Sequence, residues 1–583
     1  MLLVFGLIAL TIMVLAGFGA ALSGGRQTSY RSFFDLAILG LLLVSAIGLI
    51  ANFFLPLSLN LVIATAVVGI ACFLLHRKLL WASLGQRPVA MLVVLAAILA
   101  MDSLGVLITP LSYDTGLYHL QLIEWLEQAP KVFGLVNLHY RFGVNSIWFV
   151  DASMFDIIRR THAGIFLLNT TLFTIVIGAL IQPVLSGGAA SDSLPRISDL
   201  FAVIVATALL VNPTTIMFNQ LFASPGNDLP GALLLVYAFW VFLRIFEADD
   251  DKEAWLLQLL VAGLLAVMTK IATAPGLLLL PIAGYAVFAR NPRRVWGLAR
   301  NPTLLCLVTV GAAWMATGII SSGCIAFPAG STCIAALPWT PPLGDIADFA
   351  TLVTAWARLP NAHVWEAAHG WAWLKDWPSM MLARRIFIPG MSWSLAVAAG
   401  IGIALALAER VALKSRRQDR GFGPGVFVIG YAIGVGCLGN LFWFLAAPEP
   451  RFGIGFLLAL PALVIAAGTR ALAADGALIR LVVNRIMLMG FIFVCVGLFL
   501  LHHRVVASKA ADTWPSTPYV PVQQYDFGPQ LRVNIPVGGN QCWDAPRPCA
   551  PGRGPDALPL THRKLLLWEF FEPEAAAASP AAK

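Results

Sequence analysis

The sequence predicts an all-α integral membrane protein with about 14 transmembrane helices. Three observations predict it. Of 583 residues, 59% are hydrophobic and 12% charged, against roughly 25% charged in a soluble chain. Mean hydropathy is +0.81. Apolar windows of about 20 residues, the length that crosses a bilayer, recur along most of the chain. The net charge of +8 does not call for nucleic acid, because a multi-span protein collects Lys and Arg on its cytoplasmic loops.

The windows fall near 2–22, 35–54, 58–76, 89–109, 162–184, 199–219, 229–246, 254–273, 276–289, 302–320, 387–408, 424–446, 452–470 and 486–502. The first lacks a basic residue ahead of its apolar core and reads as a span rather than a signal peptide. Basic residues follow the odd-numbered spans: Arg26 and Arg31; Arg77, Lys78 and Arg87; Arg290, Arg293, Arg294 and Arg300; Arg410, Lys414, Arg416, Arg417 and Arg420; Arg470, Arg480 and Arg485. The alternate turns at 55–57 and 223–228 have none. The positive-inside rule then puts both termini outside a bacterial cytoplasmic membrane, with the basic loops in the cytoplasm. Arg159 and Arg160 break the pattern, in a long loop where the rule is weak.

Three regions follow: three additional N-terminal transmembrane helices over 1–88, a transmembrane module over 89–502 with external loops at 110–161 and 321–386, and an extracytoplasmic tail over 503–583. Cys72, Cys306, Cys437 and Cys495 lie in apolar runs and read as small buried residues. Cys324 and Cys333 share one external loop, Cys542 and Cys549 the tail. In an oxidising compartment each pair is expected to close a disulfide. The tail is expected to form a small cysteine-linked lobe ending in disorder. Trp365, Trp371, Trp373 and Trp377 suit an interfacial helix, as a plain aromatic anchor or as part of a binding site.

The stretch Ser112–Ser146 is the longest polar run in the first half of the chain and follows a window that can span. Charged groups are expensive in lipid, so such a loop is where chemistry can sit. It predicts an amphipathic helix with Tyr118, Leu122 and Leu126 on one face and Gln121, Glu124 and Gln128 on another. Asp114 at its start is either an N-cap or a general base at the membrane surface. Tyr113, Tyr118 and His119 beside it make a polar aromatic rim suited to a sugar, with Glu124 further along. Asn227 and Asp228 follow Pro225-Gly226. They are either turn residues or a second acid over the same cavity. Lys270 and Arg451 lie at the outer ends of apolar runs, against the charge bias. Lys270 needs a partner, for which a phosphate oxygen, Asp114 or Asp228 would serve, and the two cations together are what a lipid-linked phosphate would require. Helix-end snorkelling is the plainer account. The sequence has no P-loop, GxSxG or zinc-spaced motif.

Many spans, an acid in a long external loop, interfacial helices and an extracytoplasmic tail together resemble the GT-C superfamily of membrane glycosyltransferases. That group includes protein O-mannosyltransferases and the aminoarabinose transferase of lipid A. The segments SYDTGLYH, GND, TKIATAP and PEPRF also look like those of bacterial membrane proteins of that kind, over roughly residues 89–502. The family's acidic loop usually follows its first span and here follows the fourth. The doubled acid of some members is absent from this loop, so a divalent metal is not indicated and no cofactor is expected. The resemblance implies a sugar donor on a polyprenyl phosphate, an acceptor hydroxyl on a glycan, lipid or protein, inversion, Asp114 as base with Asp228 as a second acid, and cations on the phosphate. An O-antigen polymerase or ligase would instead lean on Arg358, Lys375, Arg384 and Arg385. A lipid or polysaccharide transporter would need ionisable groups at depth, for which Asp102 is the candidate. A non-catalytic envelope subunit is the third alternative.

Overall fold

The computed structural model describes residues 2–24, 32–85, 111–159, 161–186, 195–211, 221–247, 251–289, 291–360, 363–383, 424–474, 517–529, 531–551 and 559–573, and parts of 88–99. Helices come first: α1 (Leu2–Leu22), α2 (Phe33–Ala51), α3 (Leu59–Leu75) and α4 (Arg77–Ser83). The polar loop contributes α5 (Leu120–Gln128) and α6 (Ile147–Phe155). Then follow α7 (Ala163–Ser186), α8 (Ile197–Val211), α9 (Asp228–Glu247), α10 (Lys252–Thr269), α11 (Leu279–Phe288), α12 (Arg294–Ala299) and α13 (Pro302–Ser322). The Trp-rich loop holds α14 (Leu343–Arg358), α15 (Val364–Ala368) and α16 (Trp377–Ala383), ahead of α17 (Pro424–Ala446) and α18 (Pro450–Ala474).

Among the described residues nine helical segments are long and apolar enough to cross a membrane, or ten if the pair α3–α4, bent by 74°, counts as one. They coincide with the hydropathy windows to within a few residues. The windows at 387–408 and 486–502 lie outside the described residues, as does most of 89–109 and the second half of 199–219. The count of 14 is therefore reached only in part. The chain is a helical membrane protein.

The N-terminal helices are built into the same bundle as the rest. α1 packs on α2, α3 and α7, and α2 packs on α6, α7 and α13. α9, almost wholly buried, is the central rod and touches α7, α8, α10, α17 and α18. Several polar residues inside this bundle pair across helices, as an apolar surrounding favours. Tyr237 on α9 donates to Asp35 of α2 at 2.5 Å and receives Gln258 of α10 at 2.9 Å. At one end of α9 Arg244 meets Asp199 at 3.6 Å, and Glu247 binds the start of α8 and Arg470. The site described below lies at the other end.

The tail departs from an all-α chain. Two antiparallel hairpins, β1 (Val522–Gly528) with β2 (Leu531–Pro536) and β3 (Leu560–Leu565) with β4 (Trp568–Pro573), form a small β lobe. Hydropathy alone sees only a polar, proline-rich stretch there. The lobe is docked by edge pairing: Phe133 N donates to Glu569 O and Phe571 N to Phe133 O, each at 2.9 Å. The rings of Phe133 and Phe570 stack at 4.4 Å. Residues 574–583, expected to be disordered, lie outside the described residues. Both expected disulfides are present, Cys324–Cys333 and Cys542–Cys549. Cys72, Cys306 and Cys437 are free thiols.

Candidate functional site

Four charged side chains meet at one end of α9. Asp114 stands before a single π-helical turn, Thr115–His119, that leads into α5. Such turns widen a helix locally and often mark functional sites. Asp114 makes no cap bond to the following backbone. Its carboxylate instead receives Nη1 of Arg451, the second residue of α18, at 2.6 Å. Arg451 also lies 3.7 Å from Asp228. Asp228, the first residue of α9, binds Lys270 Nζ at 2.6 Å. A chain Asp114–Arg451–Asp228–Lys270 results, from positions far apart in sequence.

The local folding explains how each group gets there. Lys270 is an extended residue at the break between α10 and the 3₁₀ turn Ile271–Leu278. The break turns the chain from one candidate span into the next and leaves the lysine at its apex. Gly231 lets α9 pass against it, since a Cβ there would come within 2.7 Å of Lys270 Cβ. Asn227 donates to Thr269 O at 2.9 Å, tying the start of α9 to the end of α10. Asn169 of α7 donates to Leu221 O and Gly226 O, which fixes the turn that delivers Asp228. Aromatic rings back the cations. Phe452 lies 4.2 Å from Lys270 Nζ and 5.2 Å from the Arg451 guanidinium, and Trp356 of α14 also lies 5.2 Å from Arg451. Cation–π contacts of this kind strengthen where water is excluded.

Electrostatics sharpen the roles. Burial opposes the charged form of Asp114, but Arg451, His119 and Arg141 outweigh it and hold the carboxyl below its ordinary range. Burial pushes His119 down to about 4 against the pull of Asp114 and Asp228, so it is neutral at pH 7. Burial and the same two carboxylates push the Tyr118 phenol up. His119 and Tyr118 pack edge-on at 4.3 Å, and a Cβ on Gly226 would lie 3.2 Å from His119 Cε1.

The remaining predicted site residues lie around this centre or away from it. Tyr113 is exposed; its hydroxyl donates to Asn540 of the tail, and Gln541 Nε2 donates to its carbonyl at 2.8 Å. Glu124 belongs elsewhere. It is buried on the far side of α5 near His162, Arg547 and Asp544, and burial pushes its carboxyl up to about 7. The expected polar face of α5 does not lie bare on a membrane surface: Gln121 Nε2 donates to Trp543 O at 3.1 Å and Ala545 O at 2.8 Å, so the tail lobe covers it. The sequence reading missed Trp356, Phe452 and the Trp543 segment as neighbours of the centre. Arg141, the basic residue of the same polar loop, acts on Asp114 and Tyr118.

The residues behind the alternatives are placed as follows. Arg358 stacks on Trp373 at 4.8 Å and donates to Ala368 O and to Leu445 O, the latter at 3.1 Å. Trp365 and Trp371 are exposed, Trp373 is buried, and Trp377 donates to Pro448 O at 3.2 Å. Asp102, Arg384 and Arg385 lie outside the described residues. Among the described residues no three His, Cys, Asp or Glu side chains are grouped to hold a metal.

In comparison with known proteins, no curated protein matches the chain. A family model does match, over residues 1–458, which takes in the N-terminal helices and all four members of the charged chain and stops short of the β lobe. The protein belongs to the family described as domain of unknown function DUF8201.

Proposed function

We propose that the protein is a membrane glycosyltransferase that moves a sugar from a polyprenyl-phosphate donor to an acceptor hydroxyl at the outer face of the cytoplasmic membrane. The observation that carries the reading is the convergence of Asp114, Arg451, Asp228 and Lys270 at one end of the bundle. Two cations are what a phosphate leaving group needs, and a carboxylate is what the acceptor proton needs.

The ion pairs supply a sequence of events. At rest Arg451 and Lys270 are held by Asp114 and Asp228. A donor phosphate entering beside them competes for both cations. Asp114 then loses the partner that most lowers its pKa and becomes a stronger base when the donor is in place. The acceptor oxygen attacks the anomeric carbon, the carbon–oxygen bond to phosphate breaks, Asp114 takes the acceptor proton, and polyprenyl phosphate leaves on Arg451 and Lys270. Attack opposite the leaving group inverts the anomeric centre. His119, neutral, and Tyr118, protonated, are hydrogen-bonding groups for the sugar.

The test is transfer of labelled sugar from a polyprenyl-phosphate donor by purified protein. Asp114→Asn should cut turnover by about 100-fold or more, the range for losing a general base. Lys270→Ala should mainly weaken donor binding. Full activity of Asp114→Asn would end the claim for the base.

A further inference from the structure

A second polar site lies away from the charged chain and shares no residue with it. Lys131, just after α5, is 6% exposed. Its backbone is fixed, N–H to Asn52 O at 2.8 Å. Among the described residues its ammonium has no acid, carbonyl or hydroxyl partner. Burial alone pushes it down to about 7. A lysine in this setting needs either an anion or the loss of its proton.

Lys131 lines a cavity of about 50 Å³. At roughly 10–15 Å³ for each water, that is room for about three to five. Two further wall residues carry unsatisfied polar atoms. Trp125 Nε1 has no acceptor and Asn52 Oδ1 no donor. The rest of the wall is mainly apolar and includes Leu49, Leu122, Leu135, Phe142 and Ile147. The ends of two candidate spans, α2 through Asn52 and α13 through Thr317 and Ser321, form one border. The cavity therefore lies where a span ends and the polar loop begins, at the level of lipid head groups.

We propose that this cavity binds the head of an anionic amphiphile, its single carboxylate or phosphate on Lys131 and the Trp125 N–H, with its hydrocarbon leaving through the cavity's open side. The chemistry follows from the wall. One unpaired cation and one unpaired N–H donor suit one compact anion. The space takes such a head but no sugar ring beside it. The other polar wall residues, Asn145, Ser146, Thr317 and Ser321, already donate to backbone carbonyls, which leaves few donors for a highly hydroxylated ligand. Asn52 Oδ1 is left for a water or hydroxyl on the head.

Photolabelling of the full chain in nanodiscs tests this, with three probes bearing the same diazirine chain: a fatty acid, a phosphatidylglycerol and a long-chain alcohol. Peptides around Leu122–Lys131 and Phe142–Val150 should be labelled by at least one anionic probe and at least ten-fold less by the alcohol. Labelling by the fatty acid alone assigns a carboxylate head, and labelling by the phospholipid a phosphate head. Lys131→Met should abolish it and Lys131→Arg should keep it, with thermal unfolding confirming that both variants fold. Equal labelling by the alcohol, or labelling that survives Lys131→Met, overturns the site. Protection of Lys131 from acylation by inorganic phosphate, without lipid labelling, would mean a soluble-anion site and would also overturn it.

Discussion

Arg451 is the side chain on which the candidate site turns. It faces two carboxylates and two aromatic rings and is 16% exposed. Removing it leaves Asp114 and Asp228 without their shared cation, and breaking a buried pair from one side costs about 3–5 kcal/mol. Asp114→Asn is milder, because Arg451 keeps Asp228. Thermal unfolding of detergent-purified variants should rank Arg451→Ala as most destabilised and Asp114→Asn as least. The double variant should lie closer to wild type than additivity predicts, since the two residues share one interaction. Strictly additive losses would mean that the pair is not formed in solution. The four members of this chain were legible as separate oddities: an acid opening a polar loop, an acid in a tight turn, and two cations against the charge bias. Which acid holds which cation was not legible, since a pairing across 337 residues of sequence is set by helix packing. For Lys270 the sequence offered Asp114 or Asp228 as partner, and the fold selects Asp228.

At the scale of elements, the tail lobe decides how the polar loop is presented. Trp543 lies flat on Gly116, where a Cβ would come within 2.3 Å of its indole ring. Its amide donates to Gly116 O at 2.9 Å. Close approach of this kind is open only to glycine. Gly116→Ala should therefore lift the Trp543 segment from the π turn while leaving the transmembrane helices folded. Limited proteolysis reads this as faster cleavage in residues 537–551 with an unchanged helical circular dichroism signal. Unchanged cleavage would show that the contact does not fix the lobe. The periodicity of α5 was legible as amphipathic, with Gln121 and Glu124 on one face. What covers that face was not, because a polar stripe is the same pattern whether it meets water or the backbone carbonyls of another segment. The hairpins β1–β2 and β3–β4 escaped the reading for a related reason. β1 and β3 are short and largely exposed and lack the alternation that marks a half-buried strand; β2, LRVNIP, does alternate, over only six residues.

At the scale of the whole molecule, the bundle has two chemically different ends. At one end lie Asp114, Asp228, Lys270, Arg451 and the lobe with its disulfide. At the other, Arg244 and Arg470 surround Asp199 and Glu247, and Arg294 pairs with Glu253 beside the basic turn after α11. On the topology expected from the charge pattern the first end would face outside and the second the cytoplasm. Arg159 breaks that pattern, in a long loop where the rule is weak. It pairs with Glu127 at 3.5 Å and donates to Leu57 O, so part of its charge is offset locally. Cysteine-accessibility labelling in intact cells tests the orientation on a background with Cys72, Cys306, Cys437 and Cys495 replaced by Ala or Ser. A single cysteine at Tyr113, which is exposed, should react with a membrane-impermeant maleimide from outside. One at Trp296, exposed in the basic turn, should react only after the membrane is opened. The reverse pattern would place Asp114 and its cations in the cytoplasm. There the donor would be on the wrong side, and the transferase reading would fail with the topology.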